Sequence, residues 1–200
     1  MLVVGLTGGI ATGKSTVLQY LGNSGVSTCS ADAIVCELLL EPRVLEMVRG
    51  QFGDGVFLPD GSLDKNALAG VVFASEERRK ALEAILHPLV KQKMLEWLSV
   101  QQRNGAFIAV CEIPLLFEAG LEGMVDTIVT VAAEHQQQTR RLLNKGLDEK
   151  DANQRIAAQM PMEEKVRRSD YVIDNSGSLE DLKRQTDRVW EQLRLRSETD

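Results

Sequence analysis

The sequence predicts an α/β fold: a five-stranded parallel sheet with helices on both faces, in three layers, interrupted by a helical insertion. Three observations carry this. Five short apolar runs, near residues 2–7, 26–30, 106–112, 126–132 and 170–173, are each followed by a stretch of helical character, and such alternation builds a parallel sheet covered on both sides. The gap between the second and third runs is far longer than a strand–helix–strand crossover needs. Residues 8–16, GGIATGKST, stand between the first strand and the first helix, which is where a phosphate-binding loop belongs.

Taken in order, LVVGLT reads as a buried parallel strand. After the glycines, STVLQYLG sets Val17, Leu18 and Leu21 at helical spacing, with Gly22 where a helix would stop. GVSTCSAD reads as a second strand ending at Asp32, and AIVCELL as the helix after it. Pro42 is placed to start RVLEMVRGQF, which the glycines of FGDGVFLPDG terminate. From Leu63 to Asn104 the residues Leu68, Val71, Leu82, Leu86, Leu89, Val90, Met94 and Leu98 fall at three and four spacings, a helical stretch expected to break once, at His87-Pro88. AFIAVCEI, DTIVTVAA and DYVIDN are the remaining strands. The expected division is a nucleotide-binding core of 1–41, 105–139 and 169–200, a helical acceptor-binding insertion of 42–104, and a short helical lid of 140–168.

Residues Gly8 to Ser15 match G-x-x-x-x-G-K-[ST]. Gly8 and Gly13 permit turns that a Cβ would block, so successive N–H groups converge on one concave nest. The helix beginning near Gly13 adds its unpaired amides and the positive end of its dipole. Lys14 is expected to reach the β- and γ-phosphates, and the Ser15 hydroxyl to ligate Mg²⁺. With this loop the architecture becomes a three-layer P-loop NTPase fold that binds a nucleoside triphosphate. Ligands in such sheets sit at the carboxyl ends of the strands, which here carry Thr7, Asp32, Glu112 with Pro114, Ala132 and Asn175.

Composition narrows the classes. A hydrophobic content of 44% supplies a core without a metal or disulfide staple. Three cysteines, Cys29, Cys36 and Cys111, form no C-x-x-C and suit a reduced, cytoplasmic setting, each as a small buried hydrophobe. No run approaches the roughly twenty apolar residues of a membrane span, and no leader precedes the first strand, so no membrane is expected. The net charge of −6 argues against nucleic acid as a partner. Between Arg140 and Arg168 eight Lys or Arg outnumber five Asp or Glu, so the rest of the chain carries −9. This basic island reads either as a phosphate-covering segment or as a solvated helical face.

Other triphosphate users fit less well. NKGLD at 144–148 misses the guanine-reading N-K-x-D by one residue and follows no apolar strand. A transport ATPase needs a longer chain and a signature loop. A small kinase, with an acceptor lobe and a mobile basic lid, remains.

The chain resembles the dephospho-CoA kinase family nearly end to end. The resemblance lies in VGLTGGIATGKST, SADAI, LHPLV, EIPLLFEAGL, RIAAQMPMEEK and DYVIDNSGSLEDL. It implies ATP-dependent phosphorylation of the ribose 3′-hydroxyl of dephospho-CoA, the last step of coenzyme A synthesis, with Mg²⁺, by a monomer or weak homo-oligomer. By the same resemblance ATP is held by Gly8, Gly9, Ala11, Thr12, Gly13, Lys14, Ser15, Thr16 and Asn175. Asp32, last in the family's D-A-D, is the expected general base, which agrees with a carboxylate at a strand end opposite the loop. It would alternatively hold Mg²⁺ through water, and an N-cap role is compatible with either. His87 is read as a helix boundary or as a dephospho-CoA contact, and Leu115, Leu116 and Phe117 as a slot for the acceptor or as core. Arg140 and Lys145 are the expected catalytic cations, Arg140 also touching the acceptor. Four positions depart from the family pattern: Ser30 and Glu112 where Asp is usual, and Asn144 with Lys145 where an arginine precedes the lid. The resemblance therefore implies that Arg140, Lys145 and Arg155 share the charge-neutralising task.

Overall fold

The computed structural model describes residues 1–198, with the side chain of Phe73 left aside. The backbone divides into two compact units: Met1–Ser30 with the chain from Val100 onward, and Ala31–Ser99.

The first unit holds the sheet. Strands β1 (Leu2–Gly8), β2 (Ser27–Ser30), β3 (Ile108–Glu112), β4 (Thr127–Ala132) and β5 (Tyr171–Asp174) are all parallel, in the order β2-β3-β1-β4-β5. The expected five-stranded parallel sheet is therefore the observed one, with strand bounds moved by one or two residues. Side chains alternate across it. Leu2, Val4 and Leu6 of β1, Ile108 and Val110 of β3, and Val129 and Val131 of β4 turn to one face. There they meet Val17 and Leu21 of helix α1 (Lys14–Asn23) and Leu182, Val189 and Leu193 of helix α9 (Leu179–Ser197). The opposite face is tighter: a Cβ on Gly5 would stand 2.8 Å from Leu116 Cδ1 and 3.1 Å from Val125 Cγ2. Helix α8 (Met162–Arg167) packs near β4, where the Thr130 and Ser169 hydroxyls lie 2.5 Å apart. Helices α6 (His135–Leu143) and α7 (Glu149–Ala157) complete the basic segment. Asp148 caps α7 by accepting from Asp151 N–H at 2.7 Å. Ser178 and Asp181 form the capping box that begins α9.

The second unit is helical: α2 (Ala31–Leu38), α3 (Pro42–Phe52), α4 (Lys65–Ala74) and most of α5 (Glu76–Arg103). Two expectations are corrected here. The second strand stops at Ser30, so Asp32 is the second residue of α2 and neither ends a strand nor caps the helix. The helical stretch does not break at His87-Pro88. Pro88 lies inside a continuous 28-residue helix, and the break falls at Ser75, whose backbone is extended. The reason is that Leu86, Val90, Met94 and Leu98 form one buried stripe straight past the proline. His87 and Pro88 themselves are exposed, as is Ala84, so the carbonyl that the proline leaves without a helical donor is open to solvent. The cysteines also differ from expectation, since Cys111 is buried, Cys29 half-buried and Cys36 exposed. Among the described residues no helix is long and apolar enough to cross a membrane.

Candidate active site

β1 lies at the centre of the sheet between β3 and β4, the point where successive crossovers leave in opposite directions and a ligand crevice opens. The loop that leaves it is held tightly. Gly8 has φ 145°, and a Cβ there would stand 2.2 Å from the Val131 carbonyl oxygen. Gly13 has φ 102° at the start of α1. Thr12 Oγ1 donates to the Gly9 carbonyl at 2.9 Å, and Ile10 N–H to Gln159 Oε1 at 2.7 Å. The Lys14 ammonium, 8% exposed, donates to the Gly8 and Gly9 carbonyls at 3.2 and 2.9 Å. Its charge is therefore kept inside the loop, where a phosphate can take over those carbonyls' place.

Ser15 Oγ donates to Glu112 Oε1 at 3.1 Å. Glu112 ends β3 and is 4% exposed. A hydroxyl and a carboxylate beside the loop form an all-oxygen donor pair. That suits Mg²⁺, which takes few protein ligands and fills its octahedron with water and phosphate oxygens.

Behind the loop, Asn175 follows β5 and is 7% exposed. Its Nδ2 donates to the Thr12 carbonyl at 2.7 Å. Arg141, in the last turn of α6, donates to the carbonyls of Ala11, Thr12 and Asn175 at 3.1, 3.3 and 2.8 Å. Burial, and after it the charge of Arg140, lowers the Arg141 guanidinium from its ordinary value, which for arginine still leaves it charged at neutral pH. These groups surround a cavity of about 500 Å³.

Most expected residues meet there. Ala11, Gly13, Lys14, Ser15, Thr16 and Asn175 line the cavity, with Asn144 and Lys145 at its rim. Gly8, Gly9 and Thr12 belong to the same loop, and Gly9 also lines a neighbouring cavity of about 570 Å³ with His135, Gln138 and Gln159. Arg140 is exposed and bonded to Gln137 Oε1 at 3.0 Å, away from the cavity lining. Among the described residues the exposed Asp32 carboxylate of the second unit makes no hydrogen bond or ion pair. His87 projects from mid-α5. Of the three apolar residues expected to form a slot, Leu116 and Phe117 are core, 0% and 5% exposed, and Leu115 reaches the surface; Phe117 lies under the Arg168 guanidinium at 4.6 Å.

Sequence reasoning missed Arg141, Gln159 and the ion pair between buried Lys165 and the more open Glu118, 2.8 Å apart. Arg141 did leave a signal. Gln138 and Leu142 are the buried residues of α6, and position 141, three from Gln138 and next to Leu142, shares their side of the helix. Position 140, two from each, faces away.

Comparison with known proteins identifies the lineage. Residues 2–181 match the dephospho-CoA kinase family. The chain belongs to that family. A dephospho-CoA kinase of Symbiobacterium thermophilum is 44% identical over 192 residues, 95% of this chain and 80% of the relative. A crystal structure of a Thermus thermophilus protein superimposes with a TM-score of 0.82 at 39% identity, covering 96% of this chain and 97% of the other. The structure of a dephospho-CoA kinase from Campylobacter jejuni gives 0.70 at 26% identity, covering 96% of each.

Proposed function

We propose that this chain transfers the γ-phosphoryl group of ATP to the ribose 3′-hydroxyl of dephospho-CoA, giving coenzyme A and ADP. The observation that carries the reading is an intact phosphate loop, with its lysine and hydroxyl in place, in a chain that matches dephospho-CoA kinases from residue 2 to residue 181.

In this reading the loop amides, Lys14 and Asn175 hold ATP with its phosphates at the α1 N-terminus. Asp32 accepts the proton of the 3′-hydroxyl, whose oxygen attacks the γ-phosphorus in line. The bond from that phosphorus to the β,γ-bridging oxygen breaks, and ADP leaves with the electron pair. Lys14, Lys145, Arg140 and Arg155 supply positive charge to the transferring group. His87 and Leu115 offer the acceptor its contacts. Ser15, and Glu112 through water, would hold Mg²⁺, which would supply charge neutralisation to the phosphate chain. The chain works in the cytoplasm, as a monomer or weak homo-oligomer, without nucleic acid or membrane.

The test is ADP release by purified protein with Mg²⁺ and ATP, with and without dephospho-CoA, the product being weighed by mass spectrometry. Acceptor-dependent release with gain of one phosphoryl group is expected, and Asp32→Asn should bind ATP yet lose at least a hundredfold in kcat. ATP binding with no release on dephospho-CoA would point instead to another nucleotide-like acceptor, or to a binding protein weakened by Asn144 in the lid.

A further inference from the structure

Arg141 belongs to none of the motifs that the sequence carries, yet its guanidinium reaches three backbone carbonyls at once. Nη1 donates to Ala11 O and Thr12 O, and Nη2 to Asn175 O. The Thr12 carbonyl is gripped a second time, by Asn175 Nδ2 at 2.7 Å. Ala11 is the only non-glycine among the described residues with positive φ, at 58°, a conformation that costs energy for a residue with a Cβ and persists only when its surroundings impose it. In a planar trans peptide the carbonyl and the next N–H point in opposite directions. Holding the Ala11 and Thr12 carbonyls against the guanidinium therefore fixes the direction of the Thr12 N–H, which closes the loop on the Gly9 carbonyl at 3.4 Å, and of the Gly13 N–H, where the phosphate-facing end of α1 begins.

We infer that Arg141 is a positioning residue for the phosphate loop: through the Ala11, Thr12 and Asn175 carbonyls it presets the amides that grip the phosphate chain, whatever base is attached. The inference rests on the reading of this cavity as the ATP site. Three acceptors lying in different directions suit a planar guanidinium with its several fixed donors, and not a single ammonium point charge. The arrangement also explains why Arg141 lies half-buried while its neighbour Arg140 is in solvent.

The test measures binding of Mg²⁺–ATP and of Mg²⁺–tripolyphosphate, which has no base, to the full chain by calorimetry, for wild type, Arg141→Met and Arg141→Lys. Loss of charge-assisted hydrogen bonds to the loop predicts that both variants bind both ligands about tenfold more weakly, by the same factor. In turnover the KM for ATP rises correspondingly, while that for dephospho-CoA holds. A loss confined to ATP would overturn the inference in favour of direct contact with the base. Full recovery in Arg141→Lys would overturn it in favour of charge alone, and unchanged binding in both variants would overturn it outright. Urea melts establish that each variant is folded, and Arg141→Lys, which keeps charge and bulk, carries the comparison if Arg141→Met does not fold. Wild-type protein that binds neither ligand would remove the ATP-site reading and this inference with it, a result distinct from any difference among the three chains.

Discussion

A Cβ on Gly13 would stand 2.2 Å from Asn175 Nδ2, and the residue holds φ at 102°. Gly13→Ala is thus strained twice, by conformation and by collision with the side chain that secures the Thr12 carbonyl. The expected outcome is a loss of ATP affinity of tenfold or more in a protein that still folds, read by titration and by circular dichroism. Legibility in the sequence also varies at this scale. Gly8, Gly13, Lys14 and Ser15 are recognisable because their chemistry depends on one another over eight consecutive residues. Arg141 works through carbonyls contributed by residues 130 and 34 positions away, and carbonyls carry no sequence signature. Its burial rests on the phase of α6, which becomes evident once Gln138, a polar residue, is seen to face inward. Leu116 and Phe117 were ambiguous for a related reason: apolar side chains suit a ligand slot and a core equally, and here Gly5 makes room for Leu116 inside.

α5 shows how an element overrides its local signals. Pro88 removes one backbone hydrogen bond and crowds the carbonyl of Ala84, a cost of about 3 kcal/mol in an ideal helix. The stripe of Leu86, Val90, Met94 and Leu98 returns more than that on burial, at roughly 1.5–3 kcal/mol for each fully buried side chain. Local punctuation lost to continuous burial, which is why the sequence misplaced the break. Pro88→Ala is expected to stabilise the chain by about 1–3 kcal/mol, measured as a raised urea midpoint. The actual break at Ser75 is visible only through its cap, Arg78 N–H donating to Ser75 Oγ at 3.3 Å, and a lone serine ahead of two glutamates is an easily overlooked signal. In the basic segment, Asp148 carries the start of α7. Asp148→Ala should cost about 1 kcal/mol, and hydrogen exchange should localise the loss to the first turn of that helix.

At the scale of the whole molecule the sheet was the most legible feature, because each strand is a short apolar run and the parallel arrangement follows from alternation. The ion pair that ties α8 beneath it was not. Lys165, 0% exposed, meets Glu118, whose carboxylate also accepts from Met160 N–H at 3.0 Å. Burial tends to raise the Glu118 carboxyl, but the hydrogen bonds from Lys165 and Met160 prevail and hold it below its ordinary value of 4.5. A group depressed in the folded state supports folding above its unfolded value, and the support fades as pH falls through the folded one. Glu118→Gln, which removes the charge partner of the buried Lys165 while Glu118 itself is partly open to solvent, should therefore cost about 1 kcal/mol at neutral pH. The gap between variant and wild type in urea unfolding should narrow as pH drops below 4.5. The strand lengths carry a different consequence. The longest strands, β1 and β4, lie inside the sheet, while the two margins, β2 and β5, are only four residues each. A margin that short offers another chain few backbone groups to zip onto, so the same ordering that places the phosphate loop at mid-sheet also guards crowded, newly made copies against sticking edge to edge.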